Sequence, residues 1–168
     1  IEFHDEKTSK QALVSTMQDM ICLNRLVSTA DDLDAFGIVG IFRYTEIYLK
    51  RGVVDNELPT KVIKNIKNRF TNFTNAYSSL HRFSDKQRLR YIETINFFME
   101  LDSQIIQSAD NTDSPLAVYK ILKEQLVENE KTIDDTIAYA ISKSTTSYPL
   151  QFFSKLRNEL NVTSAILI

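Results

Sequence analysis

DDLDAFGIVGIFRYTEIYLKRG, residues 31–52, is the most apolar run of this 168-residue chain and contains all three of its glycines. Leu33, Phe36, Val39 or Gly40, Phe42 or Arg43, Ile47 and Tyr48 recur every three to four residues, while Ile38, Ile41 and Tyr44 fill a second face. Helical spacing with apolar residues on nearly every side predicts a helix enclosed by other helices. The expected start is Ser28-Thr29-Ala30-Asp31, whose short polar side chains satisfy free backbone N–H groups. Asp31, Asp32 and Asp34 would then sit where the helix dipole favours negative charge. The expected end is Gly52, after Lys50 and Arg51, because glycine enters a left-handed cap without steric cost.

Gly37 and Gly40 fall inside this predicted helix, where each costs about 1 kcal/mol relative to alanine. The expected reason is close approach of a neighbouring helix across a groove free of side chains. The functional reading is a groove for a peptide or ligand, or a kink that lets the helix move. Asp34, Arg43 and Glu46 interrupt the run, and no stretch of ~20 uncharged residues exists, so no membrane span is expected.

Other helices follow from the same periodicity. A first helix over about 9–27 opens on Thr8-Ser9-Lys10-Gln11 and carries Leu13, Met17, Met20 or Ile21, and Leu26 or Val27 on one stripe. It would pair antiparallel with the central helix. A third starts at Leu58 with Pro59 in its first turn and buries Leu58, Val62 or Ile63, Ile66, Phe70 and Phe73. Asn75 to Phe83 reads as a loop or frayed end. A fourth opens on Ser84-Asp85-Lys86-Gln87 and runs to about Ile106, with Leu89, Ile92, Ile95, Phe98 or Met99, and Ile105 inward. Ser108 to Ser114 is the clearest loop, and any boundary between sub-lobes belongs there. Ser114-Pro115 caps a fifth helix bearing Leu116, Tyr119, Leu122 and Leu126. Thr132 starts a sixth with Ile133, Ile137 and Ile141 inward. After a polar linker, Ser144 to Tyr148, a last helix from Pro149 holds Phe152, Phe153, Leu156 and Leu160. The fold class is therefore all-α: six to seven helices in a bundle or a short stack of antiparallel helical pairs.

Three glycines and three prolines suit helices rather than a sandwich of tight turns. A length of 168 residues fits one domain, 1–168, with a substantial core. Ile1-Glu2-Phe3 resembles a residue of a cloning vector, and the apolar stop at Ala165-Ile166-Leu167-Ile168 suggests a fragment of a larger protein. One cysteine, Cys22, forms no internal disulfide and fits a reducing intracellular compartment, cytoplasmic or nuclear. The two N-x-T sequons, at Asn72 and Asn161, would matter only in a secreted protein.

Catalytic and metal-binding signatures do not emerge. The histidines are His4, in the N-terminal tail, and His81, which has Ser84 and Asp85 where a metal partner would stand. Phosphate-binding glycine loops and nucleophile elbows are missing from the sequence. The acidic pairs Asp31/Asp32 and Asp134/Asp135 occupy cap positions. The expected class is non-enzymatic, with no catalytic residue, metal or cofactor.

Charge is the one distributed signal. Eleven Lys and Arg against four acids make residues 41–90 a +7 block; residues 1–40 carry −4 and residues 91–168 carry −5, returning the overall −2. Lys61, Lys64, Lys67 and Arg69 line the predicted outer face of the third helix, with Arg82, Lys86, Arg88 and Arg90 close behind. This composition predicts a basic helical face on which an acidic or amphipathic segment of another protein docks. The interleaved rings of Phe70, Phe73, Tyr77, Phe83 and Tyr91 support an alternative: RNA or DNA held by phosphate contacts, with bases stacked on exposed rings. A third alternative is homo-oligomerisation through the apolar C-terminal end.

Overall fold

A computed structural model describes residues 29–77, 79–108 and 110–166, with side chains as far as residue 161. The predicted helix over 9–27, its pairing with the central helix, Cys22, His4 and the side chains of the apolar C-terminal end lie outside that range. Residues 29–34 are helical, and six α-helices follow. They are α1 (Gly37–Lys50), α2 (Leu58–Tyr77), α3 (His81–Ile106), α4 (Pro115–Lys123), α5 (Ile133–Lys143) and α6 (Ser147–Ile166). A π-helical turn, Glu124–Glu128, extends α4. The described residues contain no strand, and the protein is a helical bundle.

The bundle is built around α1, which packs against α2, α3, α4, the π turn and α6. Ile38, Ile41, Phe42, Tyr44 and Leu49 are buried along it, as expected of an enclosed helix. Its end also agrees with expectation: Gly52 takes φ +71° and donates to the carbonyl of Leu49 at 2.9 Å.

The start of α1 does not agree. Residues 31–52 are not one helix; the chain breaks at Ala35 and Phe36, and α1 begins at Gly37. Asp31, Asp32 and Asp34 therefore belong to the preceding helical segment, and the first turn of α1 holds no acid. Phe36 is extended (φ −113°, ψ 152°), and Gly37 takes φ +79°, a conformation that L side chains adopt at a cost. Gly37 is thus a break residue rather than a mid-helix one. Gly40 is needed because a Cβ there would stand 2.3 Å from the carbonyl oxygen of Ala35. The close approach is made by the chain's own upstream backbone, not by a neighbouring helix.

A helix start without a local cap leaves free N–H groups. Here distant elements supply the acceptors. The Gly37 N–H donates to Thr94 Oγ1 at 2.8 Å from α3, and the Val39 N–H to the Glu159 carboxylate at 3.4 Å from α6. Arg90 Nη1 donates to the carbonyl of Leu33 at 3.1 Å, closing the segment before the break.

Phe36 drops into a cluster of rings. It meets Phe70, Phe73 and Tyr91 edge to face at centroid distances of 5.7, 5.9 and 6.1 Å. Phe70 stacks on Tyr91 at 3.9 Å, and Phe83 packs on Phe73 and Tyr77. These contacts zip α2 and α3 into an antiparallel hairpin. Leu58, Val62, Ile66 and Phe73 are fully buried as the spacing predicts.

Two expectations around this hairpin need correction. The predicted loop from Asn75 to Phe83 is much shorter, since α2 reaches Tyr77 and α3 starts at His81. Ser84 does not cap α3; its hydroxyl donates to the carbonyl of Tyr77 at 2.7 Å. On α3, Ile95 and Phe98 are buried and Ile105 is packed on the core, but Leu89, Ile92 and Met99 face outward. The inner face instead includes Gln87, Thr94 and Gln104, all buried. Their polarity has a purpose: Thr94 caps α1, and Gln104 Oε1 accepts the Leu116 N–H at 2.9 Å to cap α4.

The remaining helices begin close to where predicted. Pro115 opens α4, although the Ser114 hydroxyl bonds to the Asn111 carbonyl rather than capping. Thr132 Oγ1 accepts the Asp135 N–H at 3.2 Å and donates to the Asp135 carboxylate, the reciprocal pairing of a helix start. The last helix starts at Ser147, two residues before Pro149, with Phe152, Phe153 and Leu156 buried.

Candidate functional site

The predicted basic residues differ in their surroundings. Lys61, Lys64 and Lys67 are exposed on α2, with Lys61 paired to Glu57 at 2.8 Å. Arg69 is turned to the helical segment before the break, bonded to Asp31 at 2.6 Å and close to Asp32 at 3.4 Å. Burial pulls the Arg69 pKa down, but the Asp31 bond and the neighbouring acids outweigh it and raise the pKa overall. Burial likewise raises the Asp32 carboxyl, opposed by Arg69. Arg82 and Arg88 are exposed. Arg88 is two residues from both Lys86 and Arg90, hence roughly 160–200° around the helix from them.

Lys86 and Arg90 do come together, in a groove of about 710 Å³ at the junction of α1, α3, α5 and α6. Val39, Phe42, Ile133 and Leu160 form its apolar lining, and Arg43, Lys86 and Arg90 its cationic one. Arg43 pairs with Asp34, and Arg90 lies 3.5 Å from Glu159 while also bonding Gln87 and Leu33. Arg90 is thus partly structural, and Lys86 is an exposed cation at the rim of a groove that Asp34 and Glu159 also line. Sequence periodicity missed this site because Ile133 and Leu160 lie more than 90 residues from Val39 and Phe42 in the chain. The signal within reach was Arg43, a charged residue on the most apolar helix.

The interleaved rings do not form an open stacking platform. Phe70, Phe73, Tyr77, Phe83 and Tyr91 are buried or half-buried and packed on one another.

A second cleft, about 570 Å³, lies beside the π turn and contains Asp55, Tyr119 and Lys123. The Tyr119 hydroxyl donates to Asp55 at 2.7 Å, and Lys123 Nζ donates to both carboxylate oxygens at 2.9 and 2.7 Å. Burial pushes the Asp55 carboxyl up, but the bonds from Lys123 and Tyr119 outweigh it and hold it below its ordinary value. Burial and the bond to Asp55 push the Tyr119 phenol well above its own. These groups satisfy one another, tying the loop before α2 to α4. Asp55→Asn is expected to cost roughly 1 kcal/mol at neutral pH, since the pair is partly exposed. A depressed carboxyl stabilises above the ordinary value of 3.8 and loses that contribution as pH falls below it. The difference in urea midpoint between wild type and Asp55→Asn should therefore shrink between roughly pH 5 and pH 3.

Among the described residues, no group of histidine, cysteine, aspartate and glutamate is placed to hold a metal ion. No described helix is long and apolar enough to cross a membrane. In comparison with known proteins, no family model, curated protein or solved structure matches the chain.

Proposed function

We propose that this chain is a non-enzymatic interaction or scaffold domain of a larger intracellular protein, holding an acidic or amphipathic segment of another polypeptide. The observation that carries this reading is the groove itself. Val39, Phe42, Ile133 and Leu160 offer an apolar lining beside the exposed Lys86. An amphipathic helix laid there would place leucines on the apolar lining and carboxylates beside Lys86. The packed rings and the in-chain pairing of Arg43, Lys61 and Arg69 support a polypeptide over a nucleic acid.

The test is fluorescence anisotropy with a labelled helical peptide bearing a leucine stripe flanked by glutamates. Binding at micromolar concentration is expected, weakened about tenfold by Lys86→Glu and by Ile133→Asp. Lys64→Glu/Lys67→Glu, on α2, should leave it unchanged. A single-stranded oligonucleotide that binds with a steep salt slope, while the peptide does not bind, would replace this reading with the nucleic-acid one.

A further inference from the structure

The outward side of α3 carries apolar residues that its burial pattern leaves uncovered. Leu89 is 70 % exposed, Ile92 40 %, Met99 55 % and Ile106 74 %. With Asn96 and Ser103 between them, they fall at positions 89, 92, 96, 99, 103 and 106. The alternating intervals of three and four are the heptad spacing by which one helix lies along another in a left-handed pair.

Charge decides what fits this stripe. Its N-terminal end is flanked by Arg82, Lys86 and Arg88, and its C-terminal end by Glu93, Glu100 and Asp102. The sequence has no Lys or Arg between residues 91 and 119. A surface with opposite charges at its two ends complements itself under a two-fold axis, whereas a parallel copy would set like charges together. We propose that a second copy of this chain packs antiparallel on α3. In that register Leu89 meets Met99 of the second copy and Ile92 meets Asn96 of the second copy. Lys86 then faces Glu100 of the second copy, and Arg88 faces Asp102 of the second copy, each pairing occurring twice. Glu93 falls near the axis, where its approach to its own counterpart is eased by Lys155, 3.4 Å away within the same chain. Three apolar side chains per copy, Leu89, Ile92 and Met99, make a small interface, so dissociation belongs in the micromolar range.

Sedimentation equilibrium of the full chain over about 10–500 µM tests the proposal. A monomer–dimer equilibrium is expected. Leu89→Asp/Met99→Asp should leave monomer only, with an unchanged helical spectrum and, at concentrations where the wild type is also monomeric, an unchanged melting temperature, because both side chains are exposed. Arg88→Glu alone and Asp102→Arg alone should each weaken association about tenfold, and the two combined should restore it. A wild-type chain that stays monomeric throughout would overturn the proposal. So would a dimer indifferent to Leu89→Asp/Met99→Asp, or one tightened by Arg88→Glu, which would mean another surface or a parallel pairing.

Discussion

Replacing Phe36 with alanine is expected to destabilise the protein by about 4 kcal/mol, the largest effect among single substitutions considered. Phe36 is fully buried and meets three rings edge to face, two from α2 and one from α3. Its removal leaves a cavity where the helical segment 29–34, α1 and the hairpin of α2 and α3 join. The surrounding rings are held by stacking among themselves, so they collapse into that space only partly. Against a total stability of about 5–15 kcal/mol, such a loss leaves little margin. Urea denaturation measures it. A cost below about 1 kcal/mol would mean that Phe36 is not the keystone of this cluster.

Gly40→Ala separates two physical arguments by sign. Helix propensity alone predicts a gain of about 1 kcal/mol on replacing a helical glycine with alanine. The added Cβ, however, would stand 2.3 Å from the Ala35 carbonyl oxygen and 2.5 Å from its carbon. Backbone on both sides has to shift, and a loss of about 3 kcal/mol is expected. Gly37→Ala should cost less, about 1–2 kcal/mol, because its penalty is chiefly the left-handed conformation. The nearest atom to its new Cβ is Arg90 Nε at 2.8 Å, part of a side chain that can move. Thermal or urea unfolding of the two variants gives the ranking. Equal stabilisation by both would show that the break before α1 is not maintained.

How much of this was legible in the chain depends on which face a residue serves. The stripe Leu58, Val62, Ile66 and Phe73 alternates with lysines, so α2 reads directly as one buried and one wet side. On α3 the same spacing places Ile95 and Phe98 correctly but also turns Leu89 and Ile92 inward, where Phe97 and Leu101 occupy the core instead. The cause is that Gln87, Thr94 and Gln104 share the inner face, because Thr94 and Gln104 cap helix starts on other elements. Polar residues recruited as remote caps look like surface in a periodicity argument. The candidate groove was half legible: Lys86 and Arg90 stand out as charge, but nothing local ties them to Ile133 and Leu160.

The sequence by itself determined the helical class, the end of α1 at Gly52, and the starts of α2, α4 and α5. Each of these depends on neighbours within about one turn: a glycine cap, a first-turn proline, a threonine hydroxyl. Tertiary structure decided the break at Ala35 and Phe36, which side of α3 is buried, and which cations share a groove. Those outcomes turn on acceptors and rings tens of residues away, where Thr94 receives the Gly37 N–H and Phe36 finds its aromatic partners.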